Sequence, residues 1–133
     1  MFKLLKITNS GTNVPEPVRL SLASSASASI GAAVHLKDGK LTALNGASEL
    51  LPTHVTLCAV SGKTAICYEV TPNMIFETTV TADPSSMTIG SEYLLSGDSC
   101  LSNLKPSGTV RGAVLISKGN ATKAGDKVVV AFR

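Results

Sequence analysis

The chain has 133 residues, 44% of them hydrophobic but only 4% aromatic, and carries a net charge of +3 from 12 basic and 9 acidic residues. That length suits one domain able to bury its own core, so neither disulfides nor metals are required to hold it together. The charge is too small and too scattered for a phosphate-tracking surface, and no run approaches the ~20 apolar residues of a membrane span, so neither a nucleic-acid nor a membrane partner is expected.

In chain order, Met1 to Ile7 alternates lysine with apolar residues and leads through Asn9-Ser10-Gly11-Thr12-Asn13 into Pro15-Glu16-Pro17. Proline excludes a helix there, and the Ser/Ala tract from Ser21 to Ser29 suits either a close-packed strand or a linker. Residues 1–29 are therefore expected to form an extended N-terminal arm, more weakly held than a β-domain over 30–133. In Val34 to Ala43, the Asp38-Gly39 pair suits a type I′ turn, because both central positions need positive φ. That turn pairs Leu36 with Leu41 and Val34 with Ala43 on a core face. It sets His35 against Thr42 and Lys37 against Lys40 on a wet one.

A short helical turn is expected from Ala47 to Leu51, before Pro52. A second hairpin spans His54 to Val70, with Gly62 opening a type II′ turn. Counting back from it pairs Ala59 with Ile66, Leu57 with Tyr68 and Val55 with Val70. On the other face Thr56 meets Glu69 and Cys58 meets Cys67. Further strands are expected at Met74–Thr81, Met87–Ile89, Tyr93–Leu95, Val110–Ser117 and Lys127–Phe132, between Gly, Pro and Asp breaks. Period-2 alternation with almost no helical periodicity makes the fold class all-β: a small antiparallel β-barrel or sandwich with an extended N-terminal arm.

The chemistry-bearing residues are sparse. Cys58, Cys67 and Cys100 are an odd number and too few for a disulfide scaffold, and the start lacks a signal-peptide apolar core, which points to synthesis in a reducing cytoplasm. The expected Cys58–Cys67 cross-strand pair could be a disulfide, two soft ligands beside His54, or two small residues that face each other. A zinc site lacks its fourth ligand. His35 and His54 have no nucleophile elbow to serve, and several carboxylates sit in turns such as Asp38-Gly39, Asp83-Pro84 and Gly125-Asp126, where they bond local backbone. Gly108-Thr109-Val110-Arg111-Gly112 lacks the lysine and helix of a phosphate loop. No enzyme, cofactor or metal is expected.

The segments Gly31-Ala32-Ala33-Val34-His35-Leu36-Lys37-Asp38-Gly39-Lys40-Leu41, Val70-Thr71-Pro72-Asn73-Met74-Ile75-Phe76-Glu77 and Ala124-Gly125-Asp126-Lys127-Val128-Val129-Val130 carry a likeness. Over roughly residues 30–133 the chain resembles the small β-rich decoration (cement) proteins of tailed bacteriophages. The resemblance implies a structural virion protein, made in the host cytoplasm, that docks on the outside of the viral capsid as a homotrimer and stabilises it. Its partner would be the major capsid protein, and Phe2, Leu4, Leu5 and Ile7 the contacting arm. Alternation places Phe2 and Leu4 on one face and Leu5 and Ile7 on the other, which suits a strand added to another chain's sheet or the first strand of the chain's own. On the arm reading, deleting residues 1–8 leaves the domain folded. A carbohydrate- or peptide-binding β-module is the alternative.

Overall fold

The structure, a computed structural model, describes residues 1–8, 15–23, 28–44, 46, 48–60 and 63–133. Among the described residues it is all-β, with twelve strands and no helix. β2 (Val18–Leu22), β3 (Ala33–Lys37), β4 (Lys40–Ala43), β5 (His54–Val60) and β6 (Thr64–Glu69) close into a barrel in the order β2-β4-β3-β5-β6. β1 (Lys3–Ile7), β7 (Met74–Thr79), β8 (Glu92–Tyr93), β11 (Ala113–Ser117) and β12 (Lys127–Ala131) form an open antiparallel sheet in the order β1-β7-β12-β11-β8. β9 (Leu95–Ser96) and β10 (Cys100–Leu101) make a small hairpin beside it.

The β3–β4 hairpin has the expected register: Val34↔Ala43, His35↔Thr42, Leu36↔Leu41 and Lys37↔Lys40. Its turn places Asp38 at φ 51° and Gly39 at φ 75°, the left-handed pair that matches the strands' own twist. Val34 and Leu41 are fully buried, and both lysines face solvent. β2 closes the barrel by running parallel to β4, with Ser21↔Lys40 and Leu22↔Leu41, and antiparallel to β6. A five-stranded barrel has little interior, and small or medium side chains fill it: Leu22, Ala32, Val34, Leu41, Ala65 and Cys67. Thr56 is buried among them with its hydroxyl satisfied, since Oγ1 accepts from Ala32 N at 2.8 Å and donates to the Ser29 carbonyl.

Strand alternation sends Ala33 and Val55 out through the barrel wall, where they join a second, larger core. That core holds Phe2, Met74, Phe76, Tyr93, Leu115, Val128, Val130 and Phe132 from the sheet and its flanks. The few aromatics concentrate here: Phe132 meets Phe2 edge-on at 5.1 Å and Phe76 at 5.5 Å. The aromatic-poor composition is thus split between two cores, one narrow and aliphatic, one anchored by three phenylalanines.

Several expectations need correction. Residues 1–29 supply β1 to the sheet and β2 to the barrel, and are not an arm apart from a 30–133 domain. The strands of the second hairpin meet at Val60↔Thr64, so three residues separate them instead of two, and a bulge after Thr56 shifts the register once more. The expected Gly62 turn itself lies outside the described residues, as do 9–14, residues 24–27 of the Ser/Ala tract and Ala47. Residues 48–51 are not helical. Met87 lies in a turn, with its N–H bonded to Pro84 O, and reaches the core from there; residues 87–89 form no strand. The expected 93–95 strand is divided between β8 and β9, because Leu94 turns its backbone to Leu104 and Ser102. β10 had no sequence signal.

Candidate functional site

β1 is the terminal strand of the open sheet, and among the described residues it pairs with β7 alone. Its register runs Lys3↔Glu77, Leu4↔Phe76, then Lys6↔Ile75 and Ile7↔Met74, so Leu5 is an extra residue in a bulge. Strict alternation would put Ile7 with Leu5. The bulge instead returns Ile7 to the face of Leu4, and both pack partly buried on the larger core. Phe2 is only 3% exposed and belongs to that core outright. Of the four expected contact residues, Leu5 alone faces out, 46% exposed between the exposed Lys3 and Lys6.

Both ends of β1 are tied down. Phe2 N donates to Gly31 O at 2.8 Å, and the terminal amine donates to Ser99 O at 2.5 Å. At the other end Thr8 and Asn73 exchange bonds: Thr8 N to Asn73 O at 2.8 Å and Asn73 Nδ2 to Thr8 O at 2.9 Å. Met1 and Ile30 stand on either side of the Phe2–Gly31 contact and are 54% and 56% exposed. Alternation had no means of picking out Ile30, because the tertiary contact at Gly31 is what brings it beside the start of the chain.

The cysteines do not meet as expected. Cys67 pairs with Thr56 and Cys58 with Ile66, so the two thiols lie on opposite faces of the β5–β6 ladder. All three cysteines are free. Cys67 is buried in the barrel, and burial pushes its thiol up to about 11. Since the thiolate is the nucleophile, alkylation of the folded protein at pH 8 should modify Cys58 well before Cys67. Peptide mass mapping checks this, and equal rates would contradict the assigned faces.

The histidines lie on neighbouring strands, since His54 pairs with Val34, the residue before His35. His54 opens β5 opposite Glu69, the last residue of β6, and is 7% exposed. Its Nδ1 lies 2.8 Å from Thr53 Oγ1, while His35 Nδ1 donates to Leu51 O at 3.1 Å. Desolvation holds His54 below its ordinary value, opposed by the Glu69 carboxylate and reinforced by His35.

The turn carboxylates are engaged locally. Asp83 accepts from Ser85 N and Oγ, and Asp126 from Thr122 N and Lys123 N, bonds that hold both carboxyls below the usual range. Glu92 accepts from Arg111 Nε at 3.1 Å and from Gly112 N at 2.6 Å, and Glu77 pairs with Lys127 at 2.9 Å. A surface depression of about 380 Å³ is lined by Asn120, Ala121, Gly125, Asp126 and Lys127, and its carboxylate is the Asp126 just described. Among the described residues no group of three or more His, Cys, Asp and Glu is placed to hold a metal ion.

The chain matches no family model, no curated protein and no solved structure.

Proposed function

We propose that the protein is a structural component of a tailed-phage virion that docks on the outside of the assembled capsid and stabilises it. The observation that carries this reading is the β1 edge: Leu5 projects from a bulge between two exposed lysines, while Phe2, Leu4 and Ile7 root the strand in the core. An exposed edge strand offers its backbone to a strand of another chain, and its outward side chains select the partner. A rooted strand does so without having to order itself first, which lowers the cost of association. Binding assembled capsid but not free subunits would then shift assembly by mass action, and a trimer would add avidity.

The test is uptake onto tailed-phage capsids stripped of their accessory proteins, with the protein's own mass read by light scattering. Saturable, stoichiometric uptake is expected, and so is its loss with Leu5→Asp, because a carboxylate would be buried against the partner. The same substitution should move the unfolding free energy by no more than about 0.5 kcal/mol, the usual limit for an exposed position. A monomer that binds none of a panel of capsids overturns the proposal. Recovery of a bound peptide or glycan without capsid would favour a free-standing binding module.

A further inference from the structure

We infer that the contact between the 51–53 connection and β3 is an acid-operated clasp, opened when His54 takes a proton. Three bonds hold the connection there. Leu36 N donates to Thr53 Oγ1 at 2.7 Å, Thr53 N donates to Val34 O at 3.0 Å, and His35 Nδ1 donates to Leu51 O at 3.1 Å. Thr53 Oγ1 already accepts the Leu36 amide, so its own hydrogen is free to go to His54 Nδ1, 2.8 Å away. That relay needs a neutral imidazole, because only an unprotonated Nδ1 can accept. Once Nδ1 carries a proton it must donate, so the threonine oxygen commits both lone pairs, Leu36 shares its acceptor with a cationic donor, and the hydroxyl's own hydrogen loses its partner.

The surroundings set the direction. His54 is nearly sealed from water, which penalises the cation. From β6 the Glu69 carboxylate favours the cation, and from β3 His35 opposes it. Lys37 lies at the end of β3, and the Glu49 carboxylate of the preceding segment is engaged by Thr109. Because burial lowers the folded-state value below 6.5, the neutral clasp is fully present above pH 6.5. As pH falls below that, the unfolded chain takes the proton first and the clasp's contribution is lost. The fold thus contains a device that would loosen one end of the barrel on acidification.

An amide-resolved NMR titration of the full chain from pH 8 to 4 tests this. The His54 ring and the Leu36 amide should follow one curve with its midpoint below 6.5. Exchange protection at Leu36, corrected for intrinsic rate, should fall roughly threefold to tenfold across it, the net worth of one hydrogen bond. Glu69 is exposed, so Glu69→Gln should fold normally and move the midpoint to lower pH, because it removes the anion that favours the imidazolium. Thr53→Ala should leave His54 titrating while the Leu36 response disappears. A Leu36 amide that moves only with global unfolding, or a midpoint that ignores Glu69→Gln, overturns the inference.

Discussion

Phe2→Ala is expected to lower the unfolding free energy by about 3–5 kcal/mol, the usual cost of emptying a buried aromatic site. The side chain is 3% exposed and sits edge-on against Phe132 at 5.1 Å, and Phe132 in turn packs on Phe76 at 5.5 Å. The site cannot collapse easily, because the strand carrying Phe2 is fixed at one end to Gly31 and at the other to Asn73. Against a typical total of about 5–15 kcal/mol, such a loss is large. Urea denaturation should show a lower midpoint with the slope unchanged. Deleting residues 1–8 should do more, since it removes Phe2, Leu4 and Ile7 from the core together and strips a whole strand from β7. A truncated chain that melts like the full one would contradict this packing. The same result separates two roles within one strand: Phe2 acts on folding, whereas Leu5 is expected to act on docking.

Gly112→Ala is the second substitution with a large expected effect. A Cβ built at Gly112 would stand 1.9 Å from Tyr93 O, 2.6 Å from Tyr93 C and 3.1 Å from Leu94 N. These are backbone atoms at the point where β8 turns toward β9, so no flexible side chain can swing away. The added methyl must push β8 off β11, where Ala113↔Tyr93 and Val114↔Glu92 are its pairings. The Gly112 N–H is also committed to Glu92, which holds Arg111 as well. Tyr93 would be displaced with its strand, and its buried hydroxyl accepts from Thr88 N at 2.6 Å. Overpacking typically costs 1–3 kcal/mol, and a clash against the backbone of Tyr93 and Leu94 should reach about 3 kcal/mol or more. The near-UV signal of Tyr93 should weaken together with the urea midpoint. An alanine variant as stable as the parent would mean that β8 and β11 are not so closely apposed.

How far the fold and its site could be read in advance varied from element to element, and the variation has a physical pattern. The β3–β4 hairpin was legible down to its register because Asp38-Gly39 permits essentially one turn, and a two-residue turn dictates every pair beyond it. Its buried face followed from Leu36 and Leu41 opposing each other while Lys37 and Lys40 did the same. β7 and β12 were legible because runs such as Met74-Ile75-Phe76 and Val128-Val129-Val130 have few alternatives to a strand buried in a sheet. All-β class follows from the same alternation.

The bulges were not legible. One extra residue in β1 and one in β5 decided which side chains face the core, and the first reversed a site assignment that rested on strict period-2 alternation. At β1 the bulge drew Ile7 inward and left Leu5 outside. At β5 the three-residue connection had already set Cys58 against Ile66 and apart from Cys67, and the bulge beyond it set Thr56 against Cys67. A bulge leaves no mark in composition, because it is selected by the fit of the strand to its neighbour. The same holds for the approach of Leu51 and Thr53 to His35 and Leu36, which depends on how β3 and β5 align, and for the parallel closure of β2 on β4. The amino-acid sequence by itself determined an all-β chain with one hairpin in known register and a small aliphatic core, because local turn chemistry and alternation need no distant partner. Only the tertiary structure decided that the first strand is rooted in the protein's own sheet, because that choice turns on whether the Phe2 pocket beside Phe132 exists, and residues 130 positions apart in the chain build it.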